Sequence, residues 1–109
     1  MSMPATTATE FDATFYRGLF GADEASWAEF ISVSITSFKE AREQMAQAIS
    51  TGDMETVSKV RHAIGPSLTQ WGAVTLEGTL RQLAPSNLGE SWPSIEPEFE
   101  ALLAAFDTL

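Results

Sequence analysis

The fold of this chain is predicted from one stretch, residues 53–72, which reads DMETVSKVRHAIGPSLTQWG. Apolar residues recur in it at spacings of three and four, which is typical of a helix with one buried face. These residues are Val57, Val60, Ile64, Leu68 and Trp71. Asp53 before them is a good N-cap, and Gly72 after them is a good helix end. We therefore predict one amphipathic helix between Asp53 and Gly72.

The residues before this stretch show the same helical spacing. A short first helix is predicted over residues 11–20, where Gly18 weakens it and Gly21 can end it. A long second helix follows the N-cap Asp23 and stops at Thr51-Gly52. No segment alternates between apolar and polar residues as a half-buried strand would.

The C-terminal part of the chain predicts two further helices. The fourth covers residues 74–83 and is broken by the turn-forming residues 85–89. The fifth begins near Ser94 and tolerates Pro97 in its first turn. Because short connections favour antiparallel neighbours, we predict an all-α fold, an up-and-down antiparallel four-helix bundle with a short additional N-terminal helix.

Composition limits the class of protein. The chain has 109 residues, of which 44% are hydrophobic and 19% charged, which is typical of one globular domain. We assign residues 11–109 to this single domain and residues 1–10 to a flexible N-terminal segment. Cysteine is absent, and the N-terminus has neither a basic start nor an apolar stretch. No apolar run approaches the roughly 20 residues that cross a bilayer. These features predict a cytoplasmic protein.

The charge of the chain disfavours two classes of partner. Fifteen acidic and six basic residues give a net charge of −9. This charge repels the phosphates of nucleic acids and the headgroups of anionic lipids at long range. We therefore expect no nucleic-acid partner and no membrane partner, and we expect a monomer.

His62 is the only histidine and lies in the predicted third helix. At about 100° per residue, it falls on the side opposite the apolar stripe, so its imidazole is predicted to face water. A lone imidazole without cysteine or a second histidine cannot form a metal site or a catalytic triad, but it can carry a phosphoryl group. The alternative is an ordinary solvated histidine.

The neighbours of His62 on this face are mostly short, so another protein could approach the imidazole closely. The candidate residues for phosphoryl or partner binding are Ser58, Lys59, Gly65, Pro66, Thr69 and, at the flank, Gln70. Lys59 supplies a cation one turn before His62, and Arg61 is a weaker candidate for the same cationic role because it leans toward the apolar stripe. For Lys59, Arg61 and Gln70 the alternative is plain solvation.

The histidine and the residues that follow it resemble the signature of histidine-containing phosphotransfer (HPt) domains of two-component phosphorelays. The matching residues are His62-Ala63-Ile64-Gly65-Pro66-Ser67, Trp71-Gly72-Ala73, Leu76, Leu80 and Leu83, with Phe11-Asp12, Gly21-Ala22-Asp23, Phe38 and Gly52-Asp53 upstream. The resemblance covers nearly the whole chain and implies a helical bundle with His62 as phosphoacceptor.

By this resemblance, His62 accepts a phosphoryl group from an aspartate of one response-regulator receiver domain and donates it to another. The expected partners are receiver domains and a hybrid histidine kinase. In the family the Mg²⁺ of the reaction belongs to the receiver domain, so no cofactor is expected in this chain. The protein would be a phosphoryl carrier and not an enzyme acting alone.

Two positions depart from the family pattern. The family commonly has lysine three residues after the histidine, where this chain has Gly65, and Lys59 is the candidate that compensates. The family favours glycine at the next position, where this chain has Pro66. The ring of Pro66 removes a backbone donor and crowds the carbonyl of His62, so a kink or break centred on His62 is expected. Pro66 either relieves a local packing conflict or alters the phosphoacceptor surface.

These departures leave an alternative function open, a degenerate HPt-like module that binds a receiver or kinase as scaffold or inhibitor without being phosphorylated. A third interpretation is an unrelated structural bundle with an accidental match.

Overall fold

The computed structural model of the chain describes residues 10–109, which form five α-helices and contain no β-strand. The helices are α1 (Thr14–Phe20), α2 (Glu24–Thr51), α3 (Met54–Gln70), α4 (Val74–Arg81) and α5 (Leu88–Phe106). The all-α prediction is confirmed. Within the described range no helix is long and apolar enough to cross a membrane. Of the segment predicted to be flexible, residues 1–9 lie outside the described residues.

Aspartate side chains cap the N-termini of α2 and α3 at the positions that the sequence predicts. Asp23 accepts a hydrogen bond from the Ser26 amide at 3.1 Å, and Asp53 accepts one from the Thr56 amide at 3.1 Å. Gly52 ends α2 in the left-handed conformation, with a φ of 71°. The bonds from Ser26 lower the pKa of Asp23, and those from Thr56 lower the pKa of Asp53. Asp23 and Gly52 therefore mark the two ends of α2, and Asp53 marks the start of α3.

The start of α5 differs from the prediction. The helix begins at Leu88 and not near Ser94, so Pro93 and Pro97 lie inside it. Each proline removes one helical hydrogen bond, but both are exposed, and the carbonyls they leave free can bind water. Leu88 and Ile95 are buried, and their packing stabilises the helix across the prolines.

The core is organised around Trp71, the residue that directly follows α3. Its side chain is 1% exposed. Five aromatic rings lie within 6.1 Å of its ring, those of Phe11, Tyr16, Trp27, Phe30 and Phe106. Around this cluster α2 packs against α3 and α5, α4 packs against α3 and α5, and α1 packs against α2.

The residues before α1 are bound to the end of α3 and the start of α4. The Asp12 amide donates to the Trp71 carbonyl at 2.8 Å, and the Glu10 carboxylate accepts from the Thr75 amide at 2.8 Å. Gly72 has a φ of 81°, and a Cβ there would lie 2.9 Å from the Asp12 nitrogen. Only glycine fits this close approach without a shift of the backbone. Glu10, the last residue of the segment predicted to be flexible, is therefore hydrogen-bonded to the start of α4.

Candidate functional site

His62 lies on the exposed face of α3, in an open groove between α3 and α4. The opposite face of α3 is buried through Val57, Val60, Ile64 and Leu68. The imidazole therefore faces solvent as the helical spacing predicts. The groove is lined by Ser58, Lys59, Arg61, His62, Ala63, Gly65, Pro66, Thr69, Glu77 and Arg81.

Most of the predicted neighbours of His62 share this groove with it. They are Ser58, Lys59, Gly65, Pro66 and Thr69. Gln70 does not line the groove, because its Oε1 accepts a hydrogen bond from the Tyr16 hydroxyl at 2.6 Å. The same hydroxyl lies 3.3 Å from the Ser67 Oγ. Gln70 and Ser67 thus connect the end of α3 to α1.

Arg61 is bound to the C-terminal end of α4. Its Nη1 donates to the carbonyls of Leu80 at 3.2 Å and Leu83 at 3.1 Å, and its Nη2 donates to the Ser58 Oγ at 3.3 Å. A guanidinium at a helix C-terminus satisfies carbonyls that lack helical partners and opposes the negative end of the helix dipole. Arg61 and Ser58 therefore hold α4 against α3, which gives the groove its second wall.

Pro66 does not break the helix at His62, so, of the kink or break predicted there, the break is wrong. α3 is continuous from Met54 to Gln70. Proline has no N–H, so the His62 carbonyl lacks the donor that residue 66 would give in a regular helix. The buried side chains of Ile64 and Leu68, which flank Pro66 on the core side, are held against the core and keep the backbone helical.

Replacing Pro66 with alanine is expected to raise the free energy of unfolding by about 1–3 kcal/mol. Alanine restores the donor for the His62 carbonyl, and Pro66 is exposed, so no core contact is lost. Urea denaturation measures the change. Pro85→Ala is the matched control, because Pro85 is also exposed but lies in the turn between α4 and α5, and it should give no gain. Equal effects of the two substitutions would contradict this explanation.

Two groove residues come from α4 and were not among the predicted site residues. Glu77 is largely buried, with 17% of its side chain exposed, and it accepts a hydrogen bond from the Arg81 Nη2 at 2.8 Å. Their spacing of four residues is the usual one for an ion pair on a helix. That spacing could have identified the pair in the sequence. It could not have shown that the pair borders His62, because this depends on how α4 packs against α3.

The charge of the groove is opposite to that of the chain. Three of the six basic residues, Lys59, Arg61 and Arg81, line it, but only one of the fifteen acidic residues, Glu77. A protein with a net charge of −9 thus has half of its basic residues in the groove that His62 also lines. Such a groove attracts an anionic group or an acidic surface.

Within residues 10–109, no three or more His, Asp or Glu side chains are grouped so that they could hold a metal ion. Comparison of the chain with protein-family models, with curated proteins and with solved structures found no match.

Proposed function

We propose that this protein is a histidine phosphotransfer protein of a two-component phosphorelay, and that His62 carries the phosphoryl group. The observation that carries this proposal is an exposed imidazole, without a hydrogen-bond partner among residues 10–109, in a groove lined by three basic residues and one acidic residue. The cations can neutralise a phosphoryl dianion, and the open groove leaves room for a partner to approach. The resemblance of the sequence to HPt domains supports the same assignment.

The proposed reaction exchanges one bond to phosphorus for another. A neutral ring nitrogen of His62 attacks the phosphorus of an aspartyl phosphate in a receiver domain. A phosphorus–nitrogen bond forms, the phosphorus–oxygen bond to the aspartate breaks, and the aspartate leaves as a carboxylate. The imidazole keeps its proton on the other nitrogen. Donation to a second receiver domain reverses these steps. Mg²⁺ would be supplied by the receiver domain, and the partners would be receiver domains and a hybrid histidine kinase.

The corresponding architecture is an up-and-down antiparallel four-helix bundle of α2 to α5 with α1 attached. Two observations support it. Contacts link α2 to α3, α3 to α4, α4 to α5 and α5 back to α2, which is the closed ring of neighbours expected in such a bundle. Arg61 contacts the end of α4, whereas Gly65 lies close to Glu77 in its middle, which supports an antiparallel pairing of α3 and α4.

A second candidate function is a module that docks on a receiver or kinase without being phosphorylated. The observation that favours it is Gly65, which leaves the site without the lysine of the family pattern. In this case the cationic groove would serve only for binding.

Transfer from a phosphorylated receiver domain separates the two candidates. The full chain is mixed with a panel of receiver domains carrying radiolabelled aspartyl phosphate, in the presence of Mg²⁺. We expect the label to move from at least one receiver to this chain, where it is acid-labile and base-stable, as a phosphohistidine is. A receiver that binds the chain in a pull-down but keeps its label would contradict the carrier function and support docking alone.

A further inference from the structure

We propose that Arg81, held in place by Glu77, is the cation that neutralises the phosphoryl group on His62. This inference rests on the proposed function. It assigns the role of the missing lysine to a residue of another helix, α4, and makes Glu77 a positioning residue.

Glu77 and Arg81 lie next to residue 65, the position of the missing lysine. A Cβ built on Gly65 lies 3.8 Å from the Glu77 Oε2. The other oxygen of the same carboxylate, Oε1, accepts from the Arg81 Nη2 at 2.8 Å. The guanidinium of Arg81 is therefore bound next to the position from which a lysine side chain would start in the family pattern.

The side chain of Arg81 runs along the groove beside α3. Arg61 donates to the carbonyls of Leu80 and Leu83, so the backbone of Arg81 lies beside Arg61 on α3. From there the Arg81 side chain runs back along α4 to Glu77, which faces Gly65. The Arg81 side chain thus lies beside the stretch of α3 from residue 61 to residue 65, which includes His62, and both Arg81 and His62 line the groove.

The three cations of the groove differ in how many of their donors are already used. The guanidinium of Arg61 is committed to the end of α4 and to Ser58. The side chain of Arg81 is 69% exposed. Within residues 10–109 its guanidinium hydrogen-bonds only to Glu77, so its other N–H groups are available to an incoming group. A guanidinium can bind two phosphoryl oxygens at once, which an ammonium such as that of Lys59 cannot do in the same planar geometry.

Arg81→Gln tests the inference directly. We expect the rate of transfer from a labelled receiver domain to fall about tenfold, and the rate to depend less steeply on salt. Lys39→Gln is the matched control, because Lys39 is exposed on α2 outside the groove and the substitution makes the same change in net charge. Equal rates for the wild type and Arg81→Gln would overturn the inference. No transfer to the wild type would instead overturn the proposed function.

A compensating substitution distinguishes lost charge from a disturbed α4. Adding Gly65→Lys to Arg81→Gln places an ammonium on the α3 wall, close to the Glu77 carboxylate that held the guanidinium, so transfer should recover most of the lost rate. Failure to recover, with circular dichroism unchanged, would show that Arg81 acts through something other than its charge.

Glu77→Ala tests the positioning role. If Glu77 positions Arg81, its loss slows transfer in the wild type and has little further effect in Arg81→Gln. If Glu77 is only a negative charge beside the phosphoryl group, its loss speeds transfer, and that result would overturn the role assigned to it.

Discussion

Trp71→Ala is expected to lower the free energy of unfolding by about 3–5 kcal/mol, which is a large part of the stability of a small domain. The indole is 1% exposed and contacts five other aromatic rings, which come from α1, α2, α5 and the segment before α1. Its removal leaves a cavity that several elements border at once, so the site cannot collapse around it. Urea denaturation followed by circular dichroism measures the loss.

The matched control for this prediction is Trp92→Ala. Trp92 is only partly buried and packs against a single aromatic ring, that of Phe99, at 6.1 Å. Trp92→Ala removes the same side chain from the edge of the core, so it should lower the free energy of unfolding clearly less than Trp71→Ala does. Equal losses for the two variants would contradict the central position assigned to Trp71.

His62→Gln is expected to abolish transfer of a phosphoryl group to this chain. Glutamine has no nucleophilic ring nitrogen, and His62 is the only histidine, so no other imidazole can replace it. The side chain is exposed and opposite the buried face of α3, so the fold and the affinity for a receiver domain should change little. Radiolabel transfer measures the first quantity, and circular dichroism and calorimetric binding measure the second.

A displaced histidine provides the control for this second prediction. In the double variant His62→Gln with Gln47→His, an exposed imidazole is present on α2 outside the groove. We expect no transfer to it, because phosphoryl transfer depends on positioning against the partner and on charge neutralisation. Label retained by His62→Gln, or restored by the displaced histidine, would contradict the role of the groove.

The periodicity of apolar residues and the caps predicted α2 and α3 closely, because both helices have strong local signals, whereas α1, which has no side-chain cap, begins at Thr14 and not at Phe11. Asp23, Gly52 and Asp53 act at the positions where the sequence predicts boundaries. The predicted start of α5 near Ser94 is wrong, because a proline ends a helix only where the loss of its hydrogen bond or the clash of its ring costs more than the helix gains by continuing. At Pro93 and Pro97 the helix is solvent-facing, and the burial of Leu88 and Ile95 outweighs that cost.

Only the part of the candidate site that lies on α3, the helix of His62, could be predicted from the sequence. The outward direction of His62 follows from the spacing within α3, and Lys59, Gly65 and Pro66 lie beside it by the same arithmetic. The second wall of the groove depends on the register between α3 and α4, which no local pattern encodes. Glu77 and Arg81 enter the site through that register, and so does the bond of Arg61 to the end of α4.

The most direct test is an NMR measurement on protein labelled with ¹⁵N only in histidine. The chain contains a single histidine, so the spectrum reports one imidazole, that of His62. After incubation with a phosphorylated receiver domain and Mg²⁺, we predict that one ring nitrogen shifts and couples to ³¹P. A receiver domain that binds the groove and loses its phosphate while the imidazole signals stay unshifted and uncoupled would contradict the claim that His62 is the phosphoryl carrier.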